Sequence, residues 1–169
     1  MANKEDLRFI KTEKLIEETY LFLKKKNSAS IKVSELCQEA LINKSTFYSH
    51  YETIEALDDY ICKKKINEIL NNCPYIDCMI SDTPNFVKSF IQSFNDNLET
   101  VNTLFASRTD YLLNIIENYL LKRYNSMDGY RDSEMKVIFA IGGAARLLIE
   151  SRDTVKISLL IELIEKIFN

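Results

Sequence analysis

The sequence predicts an all-α fold in two parts, a small N-terminal helical unit followed by a larger helical bundle. Three observations lead there. Gly129, Gly142, Gly143, Pro74 and Pro84 are all the glycine and proline in 169 residues, too little punctuation for a many-stranded sheet. Long stretches are built from Leu, Ile, Lys, Glu and Asn, a composition that favours helices. Apolar residues also recur every three or four positions through most of the chain.

The segment Val33 to Tyr51 reads V-S-E-L-C-Q-E-A-L-I-N-K-S-T-F-Y-S-H-Y, two short helices joined by a tight turn. Val33, Leu36, Cys37 and Ala40 form one apolar face, and Leu41-Ile42 breaks the pattern. Asn43 is expected to cap the second helix by accepting from the amides of its first turn. Lys44, Ser45, Thr46, Tyr48 and His50 make a run rich in hydrogen-bond donors, with Phe47 and Tyr51 as apolar anchors. An ordinary surface helix carries more Glu and Lys and fewer hydroxyls; this one suits a DNA surface.

Further along, Thr53 can cap a helix with apolar positions Ile54, Leu57, Ile61, Ile66, Ile69 and Leu70, ending between Asn71 and Pro74. Thr83-Pro84 starts the next, with the proline at the first helical position. It carries a stripe of Phe86, Val87, Phe90, Ile91, Phe94 and Leu98. Leu104-Phe105 belong to a short helical turn. Asp110 opens a helix bearing Leu112, Leu113, Ile116, Tyr119 and Leu120, closed by Ser126 to Gly129. Ser133 and Lys136 lead into apolar Val137 to Leu148, and the last helix lies near Val155 to Phe168. No internal repeat or low-complexity segment is present.

The 33–51 segment resembles the helix-turn-helix of the TetR/AcrR family of transcriptional regulators. That family's pattern is an aliphatic and a small residue, two variable positions, Ala-Gly-Val-Ser, two more, then Thr-aliphatic-Tyr-x-His-Phe. Leu36-Cys37, Ala40, Ile42, Thr46, Phe47, Tyr48, His50 and Tyr51 fall in register with it, and Glu55 and Leu57 continue the match. Upstream, Leu15-Ile16, Phe22-Leu23 and Asn27 occupy the places of the family's first helix and its terminating glycine. Three positions depart. Leu41 stands for the usual glycine, and a leucine at positive φ costs about 1–2 kcal/mol, so the turn is expected to be slightly remodelled. Lys32 replaces a phosphate-contacting threonine, and Ile54 replaces a frequent lysine.

The resemblance implies a TetR-like organisation: residues 1–52 as a three-helix DNA-binding domain, and 53–169 as a helical domain for regulation and dimerisation. It implies a homodimer presenting two recognition helices to successive major grooves of a palindromic operator. Asn43, Lys44, Ser45 and Thr46 are then expected to enter the groove and read bases. Tyr48, His50, Lys32 and Thr53 are expected to hold phosphates. A small-molecule effector bound in the C-terminal domain would shift the connecting helix and release the DNA, making the protein a ligand-responsive repressor.

An effector pocket is expected near Phe86, Phe90 and Phe94, with Tyr60, Tyr111 and Tyr119 on neighbouring helices; the bland alternative is that these rings are plain core. The interface is expected on the last two helices. Gly142, Gly143, Ala144 and Ala145 permit close approach, either by a second copy or by a helix of the same chain, joined by Arg146, Ile157, Leu160, Ile161 and Ile164.

Net charge is −3. Residues 1–65 hold 12 basic and 11 acidic residues, and the remainder 10 and 14, so the small positive balance lies in the DNA-facing part. That balance, with Leu41 and Ile54, supports the rival reading: a co-regulator of the same fold with weak autonomous DNA binding that acts through a protein partner. A purely structural helical dimer is more distant, since it leaves Tyr48 and His50 without a task.

No catalytic constellation accompanies the lone His50: there is no glycine-rich phosphate loop and no nucleophile with an evident base, so no enzyme and no cofactor are expected. Cys37 reads as a small core residue. Cys73 and Cys78, separated by Pro-Tyr-Ile-Asp, are either inert thiols or a redox or metal pair, at a spacing that matches no standard zinc pattern. Met1 to Phe9 is polar and charged, unlike a signal peptide, and the longest apolar run is interrupted by Arg146. A soluble, cytoplasmic protein without membrane contact is the expectation.

Overall fold

The computed structural model describes residues 4–26, 30–126, 134–150 and 157–168, except for the side chains at 4–6, 134, 145 and 148–150. Asn27, Gly129, Ser133 and Val155, placed by sequence at helix ends, lie outside the described residues, as do the side chains of Ala145 and Leu148. The described residues form helices and no strand. The chain divides into two compact units, Met1–Lys64 and Lys65–Asn169.

The first unit holds α1 (Lys4–Lys26), α2 (Val33–Glu39), α3 (Lys44–Tyr48) and the first part of α4 (Ile54–Asn71). Ile16, Tyr20, Leu36, Phe47, Leu57 and Ile61 are at most 1% exposed and make its core. Five-residue α3 is far too short to persist alone. Buried Phe47 and Tyr51 hold it against the other helices. Polar bonds add to this packing: the Tyr20 hydroxyl donates to buried Asp58, Lys24 Nζ lies 3.6 Å from that carboxylate, and Lys64 Nζ reaches both Glu17 oxygens at 2.8 Å. All three tie α1 to α4.

The turn between α2 and α3 closes without remodelling. Ile42 N donates to Cys37 O at 3.0 Å and Leu41 N to Gln38 O at 3.3 Å, the paired bonds of a Schellman ending. That motif needs a left-handed residue, and Leu41 supplies it at φ 54. The strain predicted for leucine is therefore carried by the residue itself, because the two closing bonds and the burial of Ala40 on one side hold the turn in place.

Asn43 does sit at the N-cap of α3 with extended backbone, but its side chain makes no capping bond. Thr53 caps as predicted, its Oγ1 accepting from Ala56 N at 3.1 Å.

In the second unit α5 (Thr83–Asp96) begins one residue away from the predicted cap: Asp82 accepts from Asn85 N, while the Thr83 hydroxyl turns inward to Met79 O at 2.7 Å. The aromatic stripe does not run on to Leu98. Asn97 breaks the helix, with its side-chain amide donating to Ser93 O at 2.8 Å, and α6 (Leu98–Phe105) follows. α7 (Thr109–Asn125), α8 (Glu134–Glu150) and α9 (Ile157–Phe168) complete the bundle, with α7 packed on α8 and α9 on α5 and α8.

The segment between α4 and α5 is pinned to α7. Tyr124, 1% exposed, accepts from Met79 N at 2.8 Å and donates to Ile76 O at 3.0 Å. Beside it Arg123 grips the Asp77 carboxylate with two nitrogens. No described helix is long and apolar enough to cross a membrane.

Candidate functional site

Alternation of burial along α3 creates the first site. Phe47 is fully buried, so the neighbouring positions turn outward: Asn43, Lys44, Ser45 and Tyr48 are exposed, Tyr48 by 56% of its surface. Thr46 is half-buried. Lys32, the residue before α2, is exposed with extended backbone and no side-chain capping role. Thr53 is exposed as well, and its oxygen accepts the Ala56 amide, leaving its hydroxyl proton for another acceptor. All eight predicted contact residues thus belong to the first unit, and six of them are exposed.

His50 is half-buried, and Phe9 explains why. The two rings stack at 3.9 Å with an interplanar angle of 27°. Nδ1 of His50 is buried with no hydrogen-bond partner among the described residues. Sequence reasoning missed Phe9, since α1 carries many apolar residues and none is marked as a histidine platform.

Tyr51 is a second orphan. It is 8% exposed and its hydroxyl has no partner among the described residues. Burial, then the charges of Glu17 and Glu13 and the neighbouring Tyr60, push its ionisation well above the usual phenol range. It is a neutral anchor. Cys37 is likewise inert, its thiol pushed up by burial and only partly lowered by Lys44.

The second site is an apolar cavity within the second unit. Phe86, Val87 and Phe90 of α5 line it with Leu120 of α7, joined by Ala140, Ile141 and Ala144 of α8, Leu160 and Ile164 of α9, and Met79. Its free space is about 30 Å³. Of the six rings expected near an effector pocket, Phe86 and Phe90 line this cavity. Phe94 packs against Phe90 in a tilted pair, ring centroids 4.8 Å apart, without lining the space. Tyr111 packs against Phe105 and Arg108, Tyr119 donates to Asn71 Oδ1 at 2.6 Å, and Tyr60 lies in the first unit against Tyr51.

The predicted interface residues also divide. Leu160 and Ile164 face inward to the cavity at 2% and 3% exposure, so they serve the chain's own core. Ile161 is half-buried, Ile157 is 42% exposed, and Arg146 pairs with Asp110 at 2.9 Å. A Cβ built on Gly142 or Gly143 meets nothing within 4 Å, so neither glycine serves a close crossing among the described residues. The outward apolar residues are instead Met135, Phe139 and Leu147 of α8 and Leu159 and Leu163 of α9, each at least 43% exposed.

All four cysteines are free thiols, and Cys73 is buried with its sulfur 3.3 Å from Pro74 O. No group of three or more His, Cys, Asp or Glu that could hold a metal occurs among the described residues.

The backbone as a whole matches the crystal structure of a TetR transcriptional regulator from Streptococcus agalactiae 2603V. The TM-score is 0.63 and the identity 20%, over 98% of this chain and 97% of that one. The fold is TetR-like. No protein-family model and no curated protein sequence matches the chain.

Proposed function

We propose that the protein is a DNA-binding transcriptional regulator, a homodimer that reads a palindromic operator through α3 and is released by a small apolar effector. The observation that carries this reading is the outward face of α3. Asn43, Lys44, Ser45 and Tyr48 are exposed donors on a helix whose only fully buried side chain is Phe47. Lysine and serine side chains of this kind hydrogen-bond to base edges in the major groove, while tyrosine and histidine hold phosphates. His50 donates from a ring nitrogen, so its contact need not be ionic, and Phe9 fixes the ring plane.

The exposed apolar faces of α8 and α9 support the dimer, as do two glycines with open space above them. The cavity supports an effector, and repression relieved on binding is the sign that the family resemblance implies.

The test is retention of random and genomic DNA fragments by the purified protein across a salt series. Recovery of a palindromic site, with affinity falling steeply as salt rises, is the expected result. No retained fragment even at low salt favours the co-regulator that works through a protein partner.

A further inference from the structure

We infer that the cavity admits its effector only by moving α9, and that occupancy is therefore read out as weaker pairing of two copies of the chain. This rests on the homodimer and effector reading above and specifies how the two are connected.

The first argument is size. About 30 Å³ of free space is roughly a fifth of the ~150 Å³ apolar cavity that takes up benzene in another protein. A close-packed interior does not stretch smoothly, so an organic molecule must displace a wall. The described walls come from α5, α7, α8 and α9, with Met79, and none belongs to α4.

The second argument is which wall yields. α7 is anchored to the 72–82 segment by polar bonds: Tyr124 to Met79 and Ile76, and Arg123 to Asp77. Met79 and the start of α5 belong to the same anchored region through Thr83 and Tyr124. α9 is different. Among the described residues its polar link to another helix is the 3.4 Å contact from Lys136 to Phe168 O, and its hold on α5 and α8 is otherwise apolar. Leu160 and Ile164 are the side chains an incoming molecule would push.

The third argument is what lies behind that wall. On α9, Leu159 and Leu163 are exposed within one turn of the cavity-lining Leu160 and Ile164. On α8, Phe139 is 72% exposed beside cavity-lining Ala140. The inner face of each helix holds the cavity, and its outer face is the apolar surface offered to the second copy. Displacement that accommodates a ligand must shift the outer rows, and interfaces depend on close shape complementarity. By linkage, with one cavity in each copy, a saturating ligand raises the dimer dissociation constant by the square of the factor by which each site prefers the monomer.

The ligand class follows from the lining. Every lining residue is apolar, so the site takes a compact hydrocarbon or aromatic body with no charge; a buried charge would find no partner there.

The test uses the full chain with benzene as the probe, in wild type, Leu160→Ala and the milder Leu160→Val. Methyl NMR reports occupancy, and sedimentation equilibrium reports the dimer dissociation constant. Benzene is expected to shift the Leu160 and Ile164 methyl signals and to raise the dimer dissociation constant at least threefold. Its affinity for dilute, monomeric protein should exceed that for concentrated protein by the square root of that factor, since each dimer carries two cavities. Leu160→Ala or Leu160→Val enlarges the space and should tighten benzene binding severalfold. Occupancy without any weakening of the dimer overturns the inference and leaves the effector reading standing. No occupancy in wild type or either variant overturns the effector reading with it, and a monomer at all concentrations overturns the homodimer reading.

Discussion

Leu41 holds a left-handed backbone at φ 54 with 92% of its side chain exposed, so it gains little from burial to offset the strain. Glycine occupies that conformation without the clash of a Cβ, at the expense of a more flexible unfolded chain. Leu41→Gly is therefore expected to stabilise the fold by roughly 0.5–1 kcal/mol, measured by urea unfolding; a loss of stability would mean that the leucine side chain supports the turn. Tyr51 has the opposite defect, a buried hydroxyl without a partner. Removing an unsatisfied buried group while keeping its ring gains about 1 kcal/mol, so Tyr51→Phe should raise the unfolding midpoint and leave DNA affinity unchanged. Tyr48→Phe is a different kind of change, at an exposed ring. It should weaken binding to every DNA sequence by a similar factor; an effect confined to one operator position would show that Tyr48 reads a base.

Among the elements, α3 was legible because its register is marked by side chains of unusual type at fixed spacing, and α4 because Thr53 caps it. The break between α5 and α6 was not. Apolar spacing runs unbroken from Phe86 to Leu98, and what interrupts it is the backbone of Asn97, at φ −113 and ψ 18, a local choice that periodicity does not register. The anchoring of α7 was also hidden, because Arg123 and Asp77 are 46 residues apart and look like solvated surface charges. Their pairing has a pH signature. The Arg123 guanidinium, chiefly by hydrogen bonding, holds the Asp77 carboxyl below its ordinary value of 3.8. The bond thus contributes stability above that value and loses it as pH falls through the lowered one. The stability difference between wild type and Asp77→Asn should be constant from pH 7 to pH 5 and shrink below about pH 4. Both partners are a third or more exposed, so the difference is small, within about 1 kcal/mol. A difference that persists unchanged at pH 2 would count against the ion pair.

For the whole molecule, periodicity located the apolar helices α8 and α9 but did not assign their faces. Leu160 and Ile164 look like interface residues in one dimension because every apolar position of α9 is equivalent there. Only the packing of α5 against α9 separates the inward pair from outward Leu159 and Leu163. The glycines were better marked, since two successive glycines inside a helix ask for a reason. Among the described residues nothing lies within 4 Å of a Cβ built on either glycine, so if the proposed dimer packs there Gly143→Leu should raise the dimer dissociation constant at least tenfold without lowering helix content. An unaltered dimer would remove the glycines from the interface.

The polar bonds from α1 to α4 bear on the protein's synthesis. Tyr20 and Asp58 are 38 residues apart, and Glu17 and Lys64 are 47 apart. A nascent chain emerging from the ribosome can wind α1 early, but its buried Tyr20 and Glu17 stay without their partners until residues 58 and 64 have cleared the exit tunnel. At the usual elongation rates of about 5–20 residues per second, α3 spends about 1–3 s outside the ribosome with its floor unfinished. During that interval the most apolar surfaces of the first unit are open to chaperones and proteases, and the unit closes only when α4 arrives.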